Sequence, residues 1–444
     1  MNTTNTSSSK THKGRVVVCG GGVAGVAAAV AARRGGTDAV LLDKGCLLGG
    51  LATIGIINFF VPMCNGRGRQ VSRGMATEFL RLSIRHGFDS LPDYWRGVLG
   101  VDGASSAEPP PEGEKPPQLT TSFSAQIFAL ELLKLLLDEG VEVHFDELVC
   151  GVEKDGDGRI RAVLCEDKGG RRRFAGDIFI DATGDADLCV RAGAPYEAGA
   201  NYFCYFGRKI TLDSCARAVA SGNIADAYEG CSGGEASLSG SGQPPGLHTF
   251  KGGDPDDLSE FLALNQLALL EKLAKDPDRR AREVVTLPTM PQLRTTRHLV
   301  GDATLTTADK FRHQPDSIAT ISDFCTPSDL YEVPWRTLVR TGFPNLAAVG
   351  RCASASGFAW DILRVIPPAI LTGQAAGTAA ALALSESSLP DLPAIDIAAL
   401  QRQLEADGSP THIDASLLPG QVETDAPAAG SPSAPAARGQ LSPD

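Results

Sequence analysis

Two kinds of hydrophobic pattern organise the chain. Residues 16–19 (Val16, Val17, Val18, Cys19) and 39–42 are short, uninterrupted apolar runs, as expected of parallel strands covered on both faces. Between them lies an Ala/Val-rich stretch of helical length, residues 23–34, stopped by Gly35-Gly36. Together they predict a βαβ unit of about 30 residues. The buried-strand signature returns far downstream at 178–181 and 345–349. Helical spacing of apolar residues marks 76–86, 258–275 and the small-residue segment 369–385. It is strongest over 125–138 (Ile127, Leu130, Leu133, Leu136, Leu137), which ends at Glu139-Gly140. Short strands are predicted at 141–145, 147–153, 160–166 and 173–180, with turns such as Asp155-Gly156-Asp157-Gly158 between them.

These elements divide the chain unevenly. The βαβ pattern does not recur between 194 and 343, which holds a Gly/Ser-rich loop (230–253), one amphipathic helix and mixed segments. The expectation is an α/β protein: a Rossmann-like, three-layer dinucleotide-binding domain in discontinuous pieces, with an inserted α+β substrate or cap domain. The pieces are 14–60, 119–195 and 343–388, with a substrate-side segment at 61–118 and the cap at 196–342. A Pro/Glu/Ser-rich insertion at 104–117 reads as mobile and residues 1–13 as disordered. The Pro/Ala-rich 389–444 reads as an extended tail, mostly disordered after 418.

Composition narrows the function. With 43% apolar and 21% charged residues, the 444-residue chain is of ordinary globular type. A net charge of −12 argues against a nucleic-acid surface. The eleven cysteines form no C-x-x-C pair, so no metal or cluster framework is expected and a reducing compartment suits them. The N-terminus shows no apolar signal segment and no run is long enough to span a bilayer. The expected location is therefore cytoplasmic, without a membrane partner.

The chemistry enters at Gly20-x-Gly22-x-x-Gly25. Alone this is a weak signal, but here a strand precedes it, a helix follows, and Asp43 ends the next strand eighteen residues beyond Gly25. Gly20 permits the tight turn, Gly22 leaves room for a diphosphate, and Gly25 lets helix and strand pack closely. The helix N-terminus brings positive dipole to the phosphates, and Asp43 can accept from a ribose. Two more strand-then-glycine motifs follow, Asp181-Ala182-Thr183-Gly184-Asp185 and Val349-Gly350-Arg351. A long cofactor touching several strand ends fits that repetition, which favours FAD over NAD. No second complete fingerprint with a strand-end acid marks a nicotinamide domain.

These residues resemble a known family. The run from Val16 to Gln70, including Leu41-Leu42-Asp43-Lys44-Gly45-Cys46-Leu47-Leu48-Gly49-Gly50-Leu51-Ala52-Thr53, is similar to FAD-dependent oxidoreductases of the glutathione-reductase-like, two-dinucleotide-binding-domain flavoprotein superfamily. So are residues 181–188, 293–297, 331–336 and 345–381, a resemblance covering roughly 14–386. It implies that Gly20, Gly22, Val23, Ala24, Gly25, Asp43, Lys44, Gly50, Leu51 and Ala52 line the FAD. It also implies Val149 at the adenine, Thr183 and Gly184 near the diphosphate, and Gly350 and Arg351 near the ribityl chain. Relatives often carry a Thr-His-Glu-like stretch where this chain has Ser356-Gly357-Phe358, so a histidine is not available there.

For catalysis, Ile366-Pro367-Pro368 opens a helix whose N-terminus, at Ile366, can stabilise charge on reduced flavin. Arg364 lies in an apolar run and needs a partner: either a substrate or flavin oxygen, or Asp361 in a buried ion pair. Arg294, Arg297 and His298 form a cationic cluster that could orient an oxygen-bearing substrate or exchange protons. Cys64 could lie near the flavin, or simply fill space as a small hydrophobe. The expected activity is hydride transfer between flavin N5 and a small polar organic substrate, a sugar-like alcohol or secondary-metabolite intermediate. Oxygen or another acceptor would take the electrons. A redox-neutral flavoprotein, such as an isomerase or hydratase, and an electron-transfer subunit remain as alternatives.

Overall fold

The computed structural model describes residues 15–104 and 114–418. The expected disorder at 1–13, most of the 104–117 insertion and the tail after 418 lie outside the described residues.

A parallel sheet of five strands occupies the centre, in the order Leu346–Ala348, Ile178–Asp181, Arg15–Cys19, Asp38–Asp43, Glu142–Phe145. Val18 pairs with Leu41 on one side and Ile180 on the other, so strands distant in sequence share one register. Side chains alternate across the sheet, and the two faces bury different layers. Val16, Val18, Leu41 and Ile180 pack with the helices Val23–Arg34 and Ile366–Glu386. Val17, Cys19, Val40 and Phe179 pack with Val149, Val163 and Phe174. The latter come from a three-stranded antiparallel sheet, Leu148–Lys154, Ile160–Asp167 and Gly170–Ala175. The result is the expected three-layer, Rossmann-like arrangement.

The strand predicted at 173–180 is two strands in two different layers. Gly170–Ala175 ends in the antiparallel sheet, the chain turns at Gly176-Asp177, and Ile178–Asp181 enters the parallel sheet. The turn is tied to the first strand: the Arg15 amide donates to the Asp177 carboxylate at 2.8 Å, and the Asp177 amide to the Arg15 carbonyl at 2.9 Å. A Cβ on Gly176 would stand 2.6 Å from the Val17 side chain.

The glycine-rich stretch at 230–253 also departs from expectation, because Glu229–Glu235 is a strand. It forms a second antiparallel sheet with Cys204–Thr211 at the centre and Arg282–Thr286 at the other edge. Its glycines are there for close approach: a Cβ on Gly233 would lie 2.1 Å from the Asn265 carbonyl oxygen. Asn265 belongs to the helix Pro255–Lys275, which covers one face of this sheet and buries Tyr205, Cys231 and Leu269 together. The residues between, Phe206 and Arg208, belong to the opposite face. No helix among the described residues is long and apolar enough to cross a membrane.

Candidate functional site

The first strand ends at the glycine turn, and each glycine has its own steric reason. Gly20 has φ +109°, and a Cβ there would be 2.3 Å from the Ala182 carbonyl oxygen. A Cβ on Gly25 would fall 1.9 Å from the Gly20 carbonyl oxygen, so only glycine lets the helix start against the turn. Gly22 differs: it has ordinary φ (−65°) and a Cβ there would meet nothing within 4 Å. Gly22 is the N-cap of Val23–Arg34 and makes no side-chain cap bond. The first-turn amides at Val23, Ala24 and Gly25 have no intrahelical acceptor, and Gly22 is bridged to Gly49 in parallel register. Room beside Gly22 and a helix N-terminus of free donors fit a diphosphate.

The end of the second strand closes over this turn. The Asp43 carboxylate accepts from the Gly21 amide (2.5 Å) and the Gly45 amide (2.6 Å). Burial raises its pKa above the ordinary aspartate value, against these two bonds, which lower it. The Gly49 amide donates to the Gly21 carbonyl at 2.8 Å, which seats the turn Gly50–Ala52 on the glycine loop. A Cβ on Gly50 would be 3.3 Å from the Gly22 Cα. Val149 is buried beyond the end of the same strand, where the Glu147 amide donates to the Asp43 carbonyl at 3.0 Å.

The two later strand tips meet the first. Asp181 is fully buried and accepts from the Thr183 amide (3.0 Å), the Thr183 hydroxyl (2.7 Å) and the Cys189 amide (2.8 Å), which fixes the 181–189 turn. Asp185 then joins all three tips. It pairs with Lys44 of the second strand end at 3.5 Å and with Arg351 of the last at 3.0 Å. Burial alone would raise the Asp185 carboxyl; Arg351 and Lys44 outweigh it and hold it below the ordinary value. Arg351 spends its guanidinium on Asp185 and the Leu293 carbonyl, above Gly184, where a Cβ would be 2.5 Å from Nη2. The residue expected beside a ribityl chain thus fastens the site together. Gly350 (φ +62°) brings the N-terminal ends of both helices close, a Cβ there lying 3.1 Å from the Ala24 Cβ and 3.6 Å from the Ala369 Cβ. In the helix opened by Ile366, Pro367 and Pro368 lack N–H groups, so Ile366 carries the one amide left before Ala369.

The candidates for catalysis are brought together in part: Arg364 lies close enough to Arg294 and Arg351 to feel their charge. Arg364 takes its structural alternative, donating to Asp361 through Nε (2.8 Å) and Nη2 (2.6 Å), and burial lowers its pKa. The Arg294, Arg297 and His298 cluster is split. Arg297 pairs with Asp187 at 2.5 Å. His298 is buried on the strand Arg297–Leu299, with Nδ1 2.7 Å from the Leu299 carbonyl and its ring edge-on to Trp360; burial lowers its pKa. Arg294 is half-buried, near the Cys204 sulfur at 3.8 Å, with no carboxylate partner among the described residues. Cys64 is fully buried, receives the Leu119 amide at 3.2 Å, and burial pushes its thiol up.

Sequence reasoning missed the cavity. A space of about 810 Å³ lies between the 56–59 segment, residues 88–90, residues 122–126 and the open face of the second sheet. Phe59, Phe88, Phe206 and Tyr228 form its aromatic wall; its polar groups include Arg208, Asn58, Gln126, Thr286 and the hydroxyls of Ser90, Ser122 and Ser124. It adjoins the loop that follows the turn Gly50–Ala52. Gln292 Nε2 donates to the Gly55 carbonyl (2.8 Å) and the Phe206 carbonyl (3.0 Å), clamping the turn to the sheet. Ile56, on the cavity wall, has φ +52°, a strained value for a β-branched residue. The signal that could have found this site is Phe206 and Arg208 at strand spacing, obscured because the partner strand is nearly half glycine.

A family model described as FAD dependent oxidoreductase matches residues 15–235 and 260–404. Among curated proteins no match is found. Among solved structures, one similar chain is a p-nitrophenol 4-monooxygenase from Pseudomonas putida, at 13% identity over 84% of this chain and 80% of that one, with a TM-score of 0.44. Another is a geranylgeranyl bacteriochlorophyll reductase-like protein from Thermoplasma acidophilum, at 13% identity over 88% and 83%, with a TM-score of 0.38. A glycerol-3-phosphate dehydrogenase from Bacillus halodurans, complexed with FAD, matches at 12% identity over 46% and 41%, with a TM-score of 0.30.

Proposed function

Because the chain belongs to the family of FAD-dependent oxidoreductases, we propose that it transfers a hydride between its FAD cofactor and a small organic substrate seated in the cavity beside the cofactor turn. Bound FAD would supply the redox chemistry, accepting or giving up a hydride, with oxygen or another acceptor as the final oxidant. The protein binds, orients and excludes water. The amides of Val23, Ala24 and Gly25 hold the diphosphate and Asp43 the ribose. Lys44, Gly50, Leu51, Ala52, Val149, Thr183, Gly184 and Gly350 complete the cofactor's surroundings, with Arg351 locking the three strand tips. The Ile366 helix end presents positive dipole toward the site.

The observation that carries the reading is continuity. The loop that closes over Gly22 runs within a few residues to Ile56 and Asn58 on the cavity wall. Gln292 fastens that loop to the sheet forming the opposite wall. Residues 196–342 then act as the substrate cap. Between the two substrate classes expected, the aromatic wall suits a secondary-metabolite intermediate better than a sugar-like alcohol.

The test is an anaerobic screen of FAD-loaded protein against a metabolite panel, followed by visible absorbance. Loss of the flavin band with one equivalent of oxidised product supports hydride transfer. Product formed while the band stays unchanged at every stage contradicts it.

A further inference from the structure

Arg208 is an unusual cation. It sits on the central strand Cys204–Thr211, facing the cavity, with its guanidinium stacked over the Phe206 ring at 4.7 Å. Its one side-chain hydrogen bond among the described residues goes to Asn58 Oδ1 at 3.2 Å, and no carboxylate there lies within ion-pair distance. Burial lowers its pKa from the ordinary arginine value. The neighbouring Lys209 shows the contrast, pairing with Glu229 at 3.7 Å. The pairing with Arg282–Thr286 slips between Arg208 and Lys209. Such bulges re-aim side chains and are frequent beside active sites.

A half-buried guanidinium with most of its donors unspent, facing a cavity, is suited to take an acceptor there. Its planar fork matches a carboxylate. The walls around it are aromatic: Phe59, Phe88, Phe206 and Tyr228, with the Phe88 and Tyr228 rings 5.9 Å apart. On another wall Ser122 Oγ and Ser90 Oγ lie 2.9 Å apart and offer a second polar foothold.

We propose that Arg208 is a substrate-binding residue and that the cavity takes an aryl carboxylate, its carboxylate on the guanidinium and its ring among the four aromatic side chains. This rests on the cavity being the substrate site, but it is tested by binding, which needs no turnover. The probes are benzoate and its neutral isostere benzamide, titrated calorimetrically into FAD-loaded protein. Benzoate is expected to bind about tenfold or more tightly than benzamide, since charge-assisted bonds are about twice as strong as neutral ones. In R208Q that preference disappears while benzamide binding is little changed, and R208K restores part of it. Equal affinity for the two probes, no saturable benzoate binding, or a preference that survives in R208Q overturns the assignment. Should R208Q fail to fold, the wild-type comparison decides alone. Anaerobic bleaching by some substrate together with no preference for benzoate would sink this inference and leave the hydride-transfer reading standing.

Discussion

At the scale of single residues, the three glycines of the first turn separate folding from cofactor binding. Gly25→Ala puts a methyl 1.9 Å from a backbone oxygen. It should destabilise the protein by about 1–3 kcal/mol or more, as overpacking does, in the presence or absence of FAD. Gly22→Ala meets no protein atom within 4 Å and has an accessible φ. It should leave the melting temperature of FAD-free protein nearly unchanged while weakening FAD binding about tenfold or more, because the methyl stands where the phosphates approach. Thermal melts paired with FAD titrations distinguish the two, and equal losses of stability would contradict this division. Asp43 gives a pH prediction. Its folded pKa is raised by burial, and ribose hydroxyls donating to it favour the ionised form, so the bound-state pKa lies below the free one. FAD affinity should then fall as pH drops through Asp43's raised pKa, at a pH above the ordinary aspartate range, and Asp43→Asn should flatten that dependence. The glycine spacing and the strand-end acid were legible in the sequence because a diphosphate site forces both. The partner of Arg364 was not, since a basic residue in an apolar run is equally compatible with a ligand and with Asp361.

At the scale of elements, the contact that aligns the site is the crossing of Val23–Arg34 with Ile366–Glu386. Gly373 lies over the Ala24 carbonyl and Gly377 over the Ala28 carbonyl, where Cβ atoms would stand 2.0 and 2.1 Å from the oxygens. Gly377→Ala should therefore force the helices apart and lower stability by about 1–3 kcal/mol. Purified protein should also carry less FAD, because Ala24 and Ile366 both lie at the N-terminal ends of these helices, where the cofactor is proposed to bind. Unchanged melting and FAD content would show that the crossing is looser than described. The elements most legible in the sequence were those buried on both faces, such as Arg15–Cys19, where an unbroken apolar run has no other stable place. The 173–180 strand was misread because a change of layer costs only the short turn at Gly176-Asp177. The sheet facing the cavity was hidden because Glu229–Glu235 uses glycines to let a helix approach, which in sequence looks like a loop.

For the whole molecule, the chain visits the proposed cofactor site three times, at residues 20–52, 181–185 and 350–366, with other structure built between the visits. Sequence could expose those returns because each ends a buried strand with glycine. It could not expose the cavity, whose walls come from residues 56–59, 88–90, 122–126, 206–208, 225–230 and 285–286 and share no local pattern. The central claim is that the three tips form one FAD site. Its most direct test is the stoichiometry of FAD on the purified protein after reconstitution, measured for wild type and for Gly22→Ala. The prediction is one FAD per wild-type chain, with flavin absorbance, and a marked loss in the variant whose fold is intact. A wild-type protein that stays colourless with excess FAD, or a Gly22→Ala protein that binds FAD as well as wild type, would contradict the account.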